Sequence, residues 1–268
     1  MVSKIRLENE LLNNIKDPPL RIVSRLDIKG PNVIKGVHLE GLKVVGQPGD
    51  MARLYYAQGA DEIIYIDVVA SLYGRNSILT VVEEAAKEIF VPMTVGGGIR
   101  TVDDIVSALR SGADKVAINT AALQRPEFIS EAAKAFGSQC IVLSVEAKKR
   151  GTENWEALTD NGREQTGVDV LEWVDKAQDL GVGEILITSV DREGTQKGLD
   201  IDLVKAVRNR VTIPVIACGG VGNVDHVAKL LDTTKCEAIC CASIFHHNIL
   251  SVSDLKLSLG NKGWNVRI

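Results

Sequence analysis

The stretch Met93-Thr-Val-Gly-Gly-Gly-Ile-Arg100 runs a short apolar segment straight into three glycines, and a helical pattern follows. Ile216-Ala-Cys-Gly-Gly-Val-Gly222 nearly repeats it. A strand that ends on glycines and feeds a helix lets backbone N–H groups approach an anion with no Cβ in the way. One constant spacing separates Gly97-Gly98 from Gly219-Gly220, Val91-Pro92 from Ile213-Pro214, and Glu62-Ile63 from Glu184-Ile185. Ile118-Asn119-Thr120 lines up more loosely with Cys241-Ala242-Ser243. A period of half the chain implies two equivalent halves.

Working outward, short β-rich runs alternate with helical patterns. Strands are expected at Ile22–Asp27, Glu62–Asp67, Met93–Gly96, Lys115–Asn119, Cys140–Glu146, Glu184–Ser189, Val215–Cys218 and Ala238–Ala242. Helices are expected between them, among others at Ser77–Ile89, Val102–Leu109, Glu127–Ala135, Val170–Leu180 and Val252–Leu259. Eight strand–helix units in 268 residues, with an internal two-fold repeat, predict an α/β fold of the (β/α)8 TIM-barrel type. The barrel is expected over residues 21–268, preceded by a polar N-terminal extension at 1–20.

Composition narrows the function. At 45% hydrophobic the chain has ample core, and a net charge of -4 gives no reason to expect nucleic acid or a membrane surface as a partner. With 4% aromatics, stacking platforms for bases are not expected. Cys140, Cys218, Cys236, Cys240 and Cys241 are odd in number and form no Cys-x-x-Cys pair, which reads as reduced core thiols. His38, His226, His246 and His247 show no metal-ligand spacing, and neither a metal nor a cofactor is expected. Residues 1–20 lack the apolar segment of an export signal, so the cytoplasm is the expected location.

In a barrel of this kind, active groups sit at the C-terminal ends of the strands. Gly97-Gly98, with Asn119-Thr120 after the next strand, forms one expected phosphate grip. Gly219-Gly220, with Ala242-Ser243, forms the second. Two grips half a turn apart imply a small ligand with a phosphate at each end. Asp27 and Glu146 end equivalent strands and are expected to face each other across the mouth as general acid and general base. Asp67 ends the second strand, and the turn Asp191-Arg-Glu-Gly194 brings Glu193 and Gly194 to the rim. Lys35 lies among Gly30, Gly36, Gly41 and Gly46 in what reads as a lid loop carrying a cation to a phosphate. At the opposite end Arg21, Glu62, Lys115 and Glu184 each begin a strand with alternating sign. Pointing inward, they would form a neutral ring that plugs or gates the barrel.

Several stretches together carry a resemblance: Arg21-Ile-Val-Ser-Arg-Leu-Asp-Ile-Lys29, Val33-Ile-Lys-Gly36, Asp67-Val-Val-Ala-Ser71, Val95-Gly-Gly-Gly-Ile99, Gly112-Ala-Asp-Lys-Val116, Ile118-Asn-Thr-Ala-Ala122, Phe136-Gly-Ser-Gln139, Thr188-Ser-Val-Asp-Arg192 and Asn265-Val-Arg267. The chain resembles the cyclase subunit of imidazole glycerol phosphate synthase from about Arg21 onward. The resemblance implies a bisphosphorylated ribulosyl aminoimidazole nucleotide as substrate. It also implies a glutaminase partner at the bottom of the barrel, whose ammonia travels up the interior. It places the two catalytic acids on Asp27 and Glu146 and the loop lysine on Lys35. It assigns the phosphate grips to Gly98, Asn119, Thr120, Gly220, Ala242 and Ser243, with Thr188 at the mouth. The ring Arg21/Glu62/Lys115/Glu184 becomes an ammonia gate, and Asp114 a contact with the glutaminase.

The chain departs from that pattern in places, among them Gly30-Pro31-Asn32 where the family typically has Asp-Gly-Arg in the lid loop, and the extra segment 1–20. Glu146 and Glu193 stand where the family has aspartate, which moves each charge out by roughly 1.5 Å, a displacement that can cost on the order of 10²-fold in rate. Arg25 stands where the family has an apolar residue or cysteine, and an inward guanidinium there needs a paired acid or phosphate, for which Glu146 is a candidate. Two alternatives therefore stay open beside the cyclase. One is a paralogue that passes ammonia on for amidation of a nucleotide-activated sugar. The other is the related sugar isomerase, against which the charged ring argues.

Overall fold

The computed structural model of the chain describes residues 18–70 and 78–267. In chain order the strands are β1 (Arg21–Lys29), β2 (Asn32–Val37), β3 (Glu40–Gly46), β4 (Glu62–Asp67), β5 (Met93–Gly96), β6 (Lys115–Ile118), β7 (Ile141–Gly151), β8 (Asn154–Thr159), β9 (Glu164–Asp169), β10 (Glu184–Ser189), β11 (Val215–Cys218) and β12 (Ala238–Cys241). The helices are α1 (Pro48–Ala57), α2 (Leu79–Ala85), α3 (Val102–Arg110), α4 (Thr120–Gln124), α5 (Glu127–Phe136), α6 (Val170–Leu180), α7 (Ile201–Arg210), α8 (Val224–Thr233), α9 (Ser243–His246) and α10 (Val252–Asn261). β1, β4, β5, β6, β7, β10, β11 and β12 pair in parallel in that order, and β12 pairs back to β1. The sheet closes, and the expected (β/α)8 barrel is the observed fold.

The two-residue period of the strands sorts side chains into two layers. Ile22, Leu26 and Ile28 of β1 pack in the layer shared with helix residues such as Tyr55, Val82 and Leu255. Val23 joins Ile64, Val142, Leu186 and Ile216 in a separate cluster that fills the barrel's waist. Arg21, Arg25 and Asp27 share the inward face of β1 with Val23, so charge is confined to the two ends and one interior level. Local signals stop the helices where they end. Thr101 and Asp104 form a reciprocal capping box at the start of α3, a device worth about 1 kcal/mol. Gly181 closes α6 in the left-handed region at φ 107°. Helix α2 is shorter than expected, and Ser77, where it was expected to start, lies outside the described residues.

Two strand ends differ from the sequence expectation in the same way. β1 and β7 run beyond the barrel, and each folds into an antiparallel ribbon: β2–β3 after β1, β8–β9 after β7. The expected lid loop around Lys35 is therefore a hairpin. β2 pairs antiparallel with β1 and with β3; Gly30 lies in the turn between β1 and β2, while Gly36, Gly41 and Gly46 lie within the paired strands. Asn32 and Asn154 begin the second strands of the two ribbons at the spacing of the glycine repeat, so the ribbons belong to the two-fold design.

At the bottom, Leu20 bridges Val266, and the N–H of Leu20 donates to the Asn265 carbonyl at 2.8 Å. Leu20 is buried, so the last residue assigned to the extension is already packed on the barrel; residues 1–17 lie outside the described set. All five cysteines are free thiols; Cys218, Cys240 and Cys241 are buried, and Cys140 and Cys236 are half-buried. No helix among the described residues is long and apolar enough to cross a membrane.

Candidate active site

At the C-terminal ends of the barrel strands, Asp27 from β1 and Glu146 from β7 both face inward and both are buried. Their surroundings differ. Arg25 Nε donates to Asp27 Oδ1 at 2.7 Å, and Lys35 Nζ lies 3.8 Å from Asp27 Oδ2. Burial works against ionisation of Asp27, but Arg25 and then Lys35 outweigh it and hold the carboxyl below the usual carboxylate range. Glu146 has no cation bonded to it; its Oε2 accepts from the Asn119 amide. Burial pushes the Glu146 carboxyl up to about 7, with Arg25 and the Asn119 bond pulling down and Asp27 pushing up. Two carboxyl groups whose environments drive them apart near neutrality have the form of an acid–base pair.

A cavity of about 340 Å³ opens beside Glu146, lined by Asp67, Gly97, Gly98, Asn119, Thr120 and Arg100 among others. Gly97 has φ 91°, and a Cβ there would meet the Asp67 carbonyl oxygen at 2.2 Å. Its twin Gly219 has φ 98°, and a Cβ there would lie 2.9 Å from the carbonyl oxygen of Ser189, the repeat partner of Asp67. Both positions demand glycine for backbone conformation and for close approach. The helix starts match as well: Asn119 has φ -126°, ψ -86° and Ala242 has φ -132°, ψ -76°. The two cradles are thus the same backbone device on opposite halves.

They are not equally open. The second, bounded by Glu193, Gly194, Gly219, Gly220, Ala242 and Ser243, encloses about 10 Å³. The β2–β3 ribbon is seated against this side. Lys35 forms an ion pair with Glu193, the His38 N–H donates to the Glu193 carbonyl at 2.8 Å, and a Cβ on Gly194 would lie 2.2 Å from the Gly36 carbonyl oxygen. The extra methylene of Glu193 is therefore taken up in reaching Lys35, and Glu193 is buried rather than a rim group.

Two expectations are corrected here. Arg25 pairs with Asp27, not with Glu146, because residues two apart on a strand share one face. Its Nη1 reaches Thr188 Oγ1 at 3.1 Å, and Thr188 is the register partner of Glu146. Asn119 is not free for an anion through its amide nitrogen, which donates to Glu146 and, at 3.0 Å, to the Leu158 carbonyl. Thr120 Oγ1 likewise accepts from the Asp160 N–H at 3.1 Å. Asp67 accepts from the Val69 N–H at 3.1 Å and lines the cavity.

Four contributors went unread in the sequence. Asp160 and Asn161 reach the cavity from the β8–β9 turn, where Asp160, Asn161 and Gly162 all have positive φ. The signal was Asp-Asn-Gly between two alternating segments, a hairpin turn. Arg100, directly after the glycine turn, brings a cation to the cavity and donates to the Ala70 carbonyl at 2.5 Å. His246, noted in the sequence only for lacking metal-ligand spacing, is buried against the mouth and bonded to the Tyr55 hydroxyl at 2.7 Å through Nδ1.

At the other end, the four charged strand starts close a ring. Arg21 pairs with Glu62 at 2.9 Å and with Glu184. Lys115 pairs with Glu62 at 3.0 Å and with Glu184 at 2.7 Å. Glu62 accepts in addition from Thr94 Oγ1 at 2.6 Å. A depression outside the ring, lined by Pro18, Pro19, Pro92, Pro214 and others, holds about 540 Å³. Asp114 sits on the same end, its Oδ2 accepting from the Met93 N–H at 2.8 Å.

Comparison with known proteins agrees with this geometry. The family model described as "Histidine biosynthesis protein" matches residues 21–251. The imidazole glycerol phosphate synthase subunit HisF of Legionella pneumophila is 60% identical over 206 residues, which cover 77% of this chain and 97% of that protein. The family match begins on the first barrel strand and runs past the last cradle, across both acids and the ring; the chain belongs to the histidine biosynthesis protein family.

Proposed function

We propose that the chain is the cyclase subunit of an imidazole glycerol phosphate synthase. It takes ammonia and a bisphosphorylated ribulosyl aminoimidazole nucleotide, and it releases imidazole glycerol phosphate and an aminoimidazole carboxamide ribotide. The observation that carries this reading is the contrast between Asp27, paired with cations, and Glu146, without one, at a mouth flanked by matched glycine cradles. Near neutrality Asp27 is a carboxylate able to accept a proton, and Glu146 retains a proton to donate. Gly97-Gly98 with Thr120 supports one phosphate. Gly219-Gly220 with Ala242-Ser243 supports the other once the β2–β3 ribbon lifts, freeing Lys35 from Glu193 to meet an anion. Gly194 and Thr188 sit close to this second side.

A glutaminase subunit is the natural partner for an ammonia-using barrel. The ring Arg21/Glu62/Lys115/Glu184 and the depression beside it favour docking at the N-terminal face, with Asp114 at the contact. The neutral, closed ring suits a gate that excludes water until one arm swings out. The amidating-paralogue alternative draws no support from the 60% identical relative.

The test is ammonia-dependent turnover of the bisphosphorylated nucleotide by Asp27→Asn. We expect turnover to be abolished and binding of the nucleotide to stay within a few-fold. A fully active Asp27→Asn enzyme would remove the acid–base assignment.

A further inference from the structure

Arg25 is among the largest fully buried side chains of the chain. It lies inside the barrel, between the apolar waist and the two acids. Three of its contacts are defined: Nε to Asp27 Oδ1 at 2.7 Å, Nη1 to Thr188 Oγ1 at 3.1 Å, and Nη1 to Cys218 Sγ at 4.0 Å. Nη2 is buried without a hydrogen-bond partner. A guanidinium costs several kcal/mol to bury, and only a well-placed anion offsets this. The sequence supplies that anion two residues along the same strand, on the same face.

We propose that Arg25 is a positioning residue for the reaction: it clamps the Asp27 carboxylate from below while Thr188 anchors the guanidinium to the far wall. The proposal rests on the cyclase reading of the Asp27–Glu146 pair. The clamp has a geometric consequence. β1 and β10 are not neighbours in the barrel, and the Asp27–Arg25–Thr188 chain ties them across its interior. Thr188 stands in register with Glu146 on the adjacent β7, so the cation fixes one acid and lies next to the other.

The charged and titratable groups facing Asp27 are Arg25 on its own strand, Lys35 on the ribbon, Glu193 after β10, Glu146 on β7 and His246 on α9. The Cys218 and Cys240 thiols face Arg25 from β11 and β12. Lys35 is engaged chiefly by Glu193, which leaves Arg25 as the close cation on Asp27. An opposite charge at this distance depresses a carboxyl pKa by about 1–3 units. Removing it therefore moves the acidic limb of the rate profile upward, and Glu146, which also feels Arg25, moves the basic limb the same way.

The experiment is the pH–rate profile of the whole chain at fixed free ammonia, for the wild type, Arg25→Met and Arg25→Lys, with Asp27→Asn as reference. We expect Arg25→Met to shift the acidic limb up by about one pH unit or more, roughly a tenfold loss on that limb. Arg25→Lys, which keeps the charge but not the fork, should return the limb to within about half a unit while kcat stays reduced. An Arg25→Met profile that is lower but unshifted would overturn the proposal, because a purely structural residue scales the rate without moving the limbs. If Arg25→Met does not fold, the double variant R25M/D27N decides: pairing predicts recovered folding, and a double variant as unstable as the single one overturns it. An active Asp27→Asn enzyme would instead refute the acid–base reading, whatever Arg25 does.

Discussion

Replacing Glu146 by glutamine should stabilise the protein in alkaline solution while disabling it. The Glu146 carboxyl is buried and is pushed up to about 7 from an ordinary 4.5. Between those two values the folded protein holds a proton that the unfolded chain has released. Stability therefore falls as pH rises through this window and levels off above about 7. The full penalty is about 3 kcal/mol, since each pH unit of difference is worth about 1.4 kcal/mol. Glutamine carries no such penalty, and its amide oxygen can still accept from Asn119. Glu146→Gln should thus gain under about 1 kcal/mol at pH 5 and about 3 kcal/mol at pH 8 relative to wild type. With a urea dependence of about 1–3 kcal/mol per molar, the pH 8 gain moves the midpoint by about 1 M or more. Ammonia-dependent turnover should drop by about 10²–10⁴-fold with loss of the proton donor. The reasoning fails if the stability difference between variant and wild type is the same at pH 5 and pH 8, because a group ionised throughout that range contributes no such slope.

Two further outcomes test the rest of the site. Arg21→Ala opens the ring while leaving the mouth untouched, so glutamine-dependent turnover with the glutaminase should fall more than ammonia-dependent turnover; equal losses would remove the gate role. Gly220→Ala places a Cβ 2.2 Å from the Gly198 carbonyl oxygen at a positive φ, a strain on the order of 1–3 kcal/mol. Calorimetric titration with the bisphosphorylated nucleotide should show at least about tenfold weaker binding, the equivalent of about 1.4 kcal/mol, and unchanged affinity would show that this cradle holds no phosphate.

The barrel was legible because its evidence is local and repeated. Strand–helix alternation runs along the chain, and the apolar-Pro, Gly-Gly and Glu-Ile pairs recur at one spacing, which a closed sheet of two equivalent halves accommodates. The location of Asp27, Glu146, the glycine turns and the ring followed from strand ends alone. The ribbons did not, although Asp160-Asn161-Gly162 carried a hairpin signal, because glycine-rich polar stretches look alike whether they pair or stay open. The true partner of Arg25 was within reach of the strand period, but two possible acids at similar height made the choice depend on rotamers.

Residue order alone determined which side chains stand at the top, the waist and the bottom of the barrel, since the two-residue period and the direction of each strand are backbone properties. Only the tertiary structure decided which charges touch. Arg25 meets Asp27 and Thr188, Lys35 turns to Glu193, and Glu146 is left with an amide instead of a cation. Those pairings depend on where barrel closure and the docked ribbon bring distant strands together, and on burial, which makes a few ångströms between a carboxyl and a cation decide its protonation.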